Sequence, residues 1–141
     1  MSENIRVHNI ILPNEPLSNF QLLDAIKELK IPNFRGIFLR DDLPPKPKKN
    51  ECGIINLADD PPGTHWTAWY KKNNTKIYFD SYGVQPPLEI INYLKDPIYY
   101  PRKQIQSFDQ VICGHLCLYV LSELNKGKHL EQILNLKNVG R

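Results

Sequence analysis

The sequence predicts an α+β domain in which a mixed, mainly antiparallel sheet packs on a buried central helix. Three observations carry that reading. Residues 64–72 and 75–80, rich in Trp, Thr, Tyr and Phe, flank Asn73-Asn74 and form the clearest hairpin pattern in the chain. From Ile112 to Leu124 the chain is apolar on nearly every side, which suits a helix at the centre of a domain. Around these two, further strand-like runs and amphipathic helices alternate without internal repeats. A chain of 141 residues has room for one core, so residues 1–141 read as a single domain.

The elements follow in order. Ser18 with Gln21 three residues later is a capping-box pattern, and Phe20, Leu22, Leu23, Ile26 and Leu29 recur at helical spacing until Pro32, predicting a helix over about 18–30. Gly36 to Arg40 reads as a short strand. Asp41 to Lys49, with three prolines and three lysines, reads as a solvated loop more readily than as a basic docking patch. Cys52 to Leu57 is a compact apolar run fit for a buried strand, ended by Asp59-Asp60-Pro61-Pro62-Gly63. After the hairpin, Pro86-Pro87 precede Leu88, Ile91 and Leu94, a second helix that stops before Asp96-Pro97. A short extended piece is expected around Gln104-Ile105-Gln106, and a last amphipathic helix carries Leu130, Ile133, Leu134 and Leu136.

Composition narrows the function classes. Proline is over-used, 12 of 141 against an ordinary share of about 5%, which predicts loop-rich connections. A net charge of +3 falls short of a dedicated nucleic-acid binder and leaves room only for weak DNA association. Nowhere do 18 apolar residues run together, and the first residues lack a signal-peptide pattern, so no membrane is expected. Three cysteines, 52, 113 and 117, do not make a secreted disulfide framework, and a reducing, intracellular setting follows.

Chemistry centres on Cys113. It opens the apolar helix directly before Gly114, where unpaired backbone N–H groups and the helix dipole favour a thiolate. A small buried residue is the bland alternative there. Cys117, one turn further in, reads as packing. A thiolate that attacks an amide needs a proton carrier for the leaving amine. Of the four histidines, His115 points to a nearly opposite side of the helix, and His8 and His129 sit in polar terminal stretches without organised surroundings. His65 remains. With Asn73-Asn74 as a two-residue turn, Lys72 faces Thr75 and Asp80 faces Thr67, so His65 and Asp80 share a face as diagonal cross-strand neighbours. Asp80 can then fix the imidazole and stabilise its cation. A one-residue slip of register would separate them. An oxyanion donor is also needed, and spacing alone leaves Gln104, Gln106 and Gln110 open. Cys113, His115 and Cys117 cannot converge on one zinc ion from a continuous helix. No metal or cofactor is expected.

The order His65, Asp80, Gln106, Cys113, with Trp66 after the His and Gly114 after the Cys, resembles the adenovirus-type (adenain-like) cysteine proteases, whose wider relatives are the SUMO-specific proteases. Gly63-Thr64-His65-Trp66, Tyr78-Phe79-Asp80-Ser81-Tyr82-Gly83, and Gln106 followed seven residues later by Cys113-Gly114 carry the likeness over about residues 18–126. Cys52 to Leu57 and Phe38 to Pro44 are similar to the compact proteases of Maverick or Polinton-type elements and related large DNA viruses. The resemblance implies Cys113 as nucleophile, His65 as base and then acid, Asp80 as orienter, Gln106 as oxyanion donor, and Trp66 and Gly114 at the substrate. Adenovirus enzymes carry Glu at the position of Asp80. No Cys lies between Cys52 and Cys113, where those enzymes keep one that ties down an activating peptide, and that mode of control is not expected here.

The resemblance further implies a monomeric endopeptidase of the host nucleus, cytoplasm or virion that cuts viral structural precursors after small residues such as Gly. Two rivals stand beside it. One is an isopeptidase acting on a ubiquitin-like conjugate with the same chemistry, the other a catalytically silent module that holds a Gly-terminated tail.

Overall fold

The computed structural model describes residues 4–57, 65–106 and 110–134. A four-stranded sheet organises the chain. Its strands are β3 (Phe34–Leu39), β4 (Asn50–Asn56), β5 (Trp66–Lys72) and β6 (Thr75–Phe79), in the order β3-β4-β5-β6. β3 runs parallel to β4 and the other two pairs are antiparallel, so the sheet is mixed, as the sequence predicts. A two-stranded hairpin, β1 (Asn4–Val7) with β2 (Ile10–Pro13), precedes it. The helices are α1 (Asn19–Glu28), α2 (Leu88–Leu94), α3 (Cys113–Asn125) and α4 (Leu130–Leu134).

Alternation along the strands gives the sheet two apolar faces. Ile54, Ala68, Ile77 and Phe79 join the main core with Leu22, Ala25 and Ile26 of α1 and Leu118 and Leu121 of α3. Their neighbours Ile55, Trp69 and Tyr78 turn the other way and pack on Ile90, Tyr93 and Leu94 of α2. Both faces are covered, which explains why 52–57 reads as an unbroken apolar run. α3 is buried around most of its circumference, from Cys113, Gly114 and His115 to Leu124.

A buried carboxylate fastens the far end of the sheet. Glu51 Oε1 accepts from Arg35 of β3 at 2.7 Å and from the Lys48 N–H at 2.8 Å. Its Oε2 accepts from the Trp69 indole at 2.8 Å and the Tyr93 hydroxyl at 2.6 Å. Burial works to raise its pKa, but these four donors outweigh it and hold the carboxyl below its ordinary value. The 41–49 loop is therefore tied at Lys48, and at Lys46 through Arg35, rather than simply solvated.

Several expectations need correction. The β1–β2 hairpin was not predicted. His8 lies at its turn with φ 55, stacks on Tyr119 with ring centroids 5.3 Å apart, and places Nε2 3.0 Å from the buried Glu123 carboxylate. Its surroundings are thus organised. The strand placed at 36–40 begins at Phe34, with an irregularity between Phe34 and Ile37 where Gly36 takes φ 142. On α1 the core takes Leu22, Ala25 and Ile26, while Phe20 and Leu23 face outward. Residues 104–106 form no strand. The extended pairing lies earlier, where Tyr99 bridges β6 at Ile77. Thr64, the Asp59–Gly63 turn and Leu136 lie outside the described residues. No helix among the described residues is long and apolar enough to cross a membrane.

Candidate active site

The hairpin register is the predicted one. Lys72 pairs with Thr75 and Ala68 with Phe79, and the same register continued sets Thr67 opposite Asp80. Asn73 permits the tight connection by taking φ 55. His65, just before β5, consequently meets Asp80, just after β6: Nε2 lies 2.8 Å from Oδ1. Asp80 is buried, and the same Oδ1 accepts the Tyr82 N–H at 2.8 Å. The Tyr82 ring stacks on the imidazole, with centroids 4.5 Å apart and planes 12° from parallel.

Cys113 reaches this pair from the start of α3. Its Sγ accepts the backbone N–H of Trp66, the residue after His65, at 3.4 Å. The close approach of helix to strand needs Gly114, where a Cβ would stand 3.1 Å from the Trp66 ring and 3.3 Å from Leu17. Burial alone would lower the His65 pKa. The hydrogen bonds to Asp80 and Cys113 and their negative charges outweigh it and raise the pKa to about 9. Nε2 is engaged by Asp80, so the interaction with Cys113 falls to Nδ1, the other ring nitrogen.

Among the three glutamines the structure distinguishes Gln106, which is only 1% exposed, whereas Gln104 and Gln110 are exposed. Its Oε1 lies 2.5 Å from the Ser81 hydroxyl and its Nε2 donates to the Gln110 carbonyl at 2.7 Å. The amide thus spans from the residue after Asp80 to one three positions before Cys113.

The other sequence candidates sit differently. Trp66 is 2% exposed with its indole N–H bonded to the Leu17 carbonyl at 3.0 Å. Trp66 and Gly114 pack against each other beneath the site, and neither offers side-chain surface to a substrate. Cys117 is buried, its Sγ 3.3 Å from the Trp66 carbonyl, and burial pushes its thiol well up. Cys52 is pushed up to about 12, also by burial. His115 is directed away and donates from Nε2 to the Pro13 carbonyl at 2.8 Å, so it does not converge with the two cysteines. Among the described residues no three His, Cys, Asp or Glu are grouped to hold a metal ion. Gly63 and Thr64 lie outside the described residues. Sequence reasoning missed Tyr82 and Ser81 as parts of the site, although both directly follow Asp80.

No protein-family model and no curated protein matches the chain. Solved structures do. The crystal structure of ASFV pS273R protease superposes with a TM-score of 0.60 at 15% identity, covering 85% of this chain and 61% of its own. The Se-Met ASFV pS273R protease gives 0.60 at 14% identity, covering 85% and 62%. The chain therefore spans about three fifths of the length of the proteins it matches. At this identity the likeness is one of fold, and the chain has the α+β fold seen in the ASFV pS273R protease.

Proposed function

We propose that the chain is a cysteine peptidase, with Cys113, His65, Asp80 and Gln106 as its catalytic residues. The observation that carries the proposal is the 2.8 Å contact between His65 and Asp80, with the Cys113 sulfur held against the next residue of the same strand. With its pKa near 9, His65 keeps a proton at neutral pH, the state that pairs with a thiolate.

In the first half-reaction Cys113 Sγ bonds to the scissile carbonyl carbon and the C=O electron pair moves onto oxygen. An N–H of Gln106 and the Cys113 backbone N–H stabilise that charge. His65 gives its proton to the amine as the C–N bond breaks, leaving an acyl-enzyme. In the second half-reaction neutral His65 takes a proton from water, the hydroxide attacks the thioester carbonyl, and the C–S bond breaks to return the thiolate–imidazolium pair. Asp80 holds the ring and stabilises each cationic state.

The substrate class rests on the sequence motifs. We infer cleavage after a small residue such as Gly, in structural precursors of a Maverick or Polinton-type element or a related large DNA virus. Mass spectrometry of products from a diverse peptide library tests the peptidase reading and the preference for a small residue. Products ending in Gly that vanish with Cys113→Ala support them, and intact peptides with the wild type would overturn the peptidase reading.

A further inference from the structure

We propose that Ser81 is a positioning residue of this site, which locks the Gln106 side-chain amide so that an N–H is aimed at the reacting carbonyl oxygen. The proposal rests on the peptidase reading above. Its argument starts from hydrogen-bond bookkeeping. A backbone carbonyl can only accept, so the end of the Gln106 amide at the Gln110 carbonyl, 2.7 Å away, is the NH2 end. Oε1 must then lie at Ser81, 2.5 Å away, and the Ser81 hydroxyl must donate to it. A primary amide has two N–H groups. One is used at Gln110, and the other, without a partner among the described residues, can donate elsewhere in the plane that Ser81 fixes.

Ser81 holds Gln106 through its backbone as well. Its carbonyl accepts the N–H of Ile105 at 2.9 Å and of Gln106 at 3.2 Å. The two segments can lie this close because Gly83 lacks a side chain. A Cβ there, at φ 77, would stand 2.5 Å from the Arg102 carbonyl oxygen. Ser81 is 0% exposed, so no water can replace its hydroxyl from bulk solvent. It therefore couples the carboxylate next to it in sequence to the oxyanion donor opposite it in space.

Loss of the hydroxyl leaves a buried carbonyl oxygen without a donor and frees the amide to turn. Steady-state kinetics of Ser81→Ala on the best peptide from a mixed library should show kcat lowered roughly 10- to 100-fold with KM nearly unchanged. Added to Gln106→Ala, the same substitution should cost less than about twofold more, since two residues acting as one unit are not additive. Ser81→Cys, which keeps the volume with a weaker donor, should fall between wild type and Ser81→Ala, and it serves as the test protein if Ser81→Ala melts below the assay temperature. Equal losses in the two backgrounds, a change confined to KM, or full kcat in both Ser81 variants while Gln106→Ala is impaired would overturn the proposal alone. Absence of turnover in the wild type, or full kcat in Gln106→Ala, would overturn the oxyanion reading and this proposal with it.

Discussion

The Cys113 sulfur takes its hydrogen bond from the backbone N–H of Trp66, 3.4 Å away. Cys113 and His65 are thus brought together through main chain: His65 precedes the donor, and the donor belongs to a strand whose register is set by its neighbours on both sides.

The first consequence concerns which thiol reacts. Iodoacetamide should label Cys113 and spare Cys52 and Cys117, whose thiols burial holds protonated. Cys113→Ala should abolish peptide hydrolysis with the fold intact, and Cys117→Ala should keep activity. Peptide mapping that found the label on Cys117, with activity lost in its variant, would reverse the assignment.

Asp80→Asn should keep the local shape, since the remaining oxygen can still accept the Tyr82 N–H. It should nevertheless slow kcat, by up to the order of 10⁴ seen for such a swap in serine proteases, because the neutral amide no longer stabilises the imidazolium. A near-normal kcat would remove Asp80 from the mechanism.

Gln106→Ala should lower kcat by roughly 10²–10³, about 2.7–4 kcal/mol, with KM hardly moved. Gln110→Ala is the sharpest control, because it keeps the backbone carbonyl that accepts from Gln106. An effect on KM alone would make Gln106 a ground-state contact.

The raised His65 pKa sets a pH window. A cation favoured by folding contributes stability that is complete below the ordinary imidazole pKa near 6.5 and is lost as pH rises through about 9. Melting temperature should therefore decline across that interval in the wild type and stay flatter in Asp80→Asn. Activity should fall on the alkaline side near the same pH. A flat melting profile from 6.5 to 9.5 would contradict the coupling.

Trp66→Phe separates packing from substrate contact. It removes the indole N–H and leaves the buried Leu17 carbonyl without its donor, which should cost about 1–3 kcal/mol of stability. KM should remain near wild type. An unaltered melting point with a raised KM would mean that the ring faces the substrate after all.

Much of this site is legible in the sequence because it depends on local rules. Asn73-Asn74 fix the turn, the turn fixes the register, and the register brings His65 to Asp80. The helix start at Cys113 follows from the apolar run behind it. What stays hidden depends on distant partners. His8 is held by Tyr119 and Glu123, more than a hundred residues away, and its four-residue strands carry too little pattern to announce a hairpin. Ser81 meets Gln106 across 25 residues, in segments without helix or strand, where no periodicity reports on contact.

The Glu51 knot lies at the opposite end of the sheet from His65. Glu51 pairs with Lys71 while Asn56 pairs with Trp66, so five residues of strand, about 17 Å, separate the knot from the active end. One carboxylate there unites β3, β5 and α2. The molecule has, in effect, a foundation and a workbench. Loops at the His65 end can change in length and composition while the anchoring end stays untouched, because no hydrogen bond of the Glu51 knot involves them.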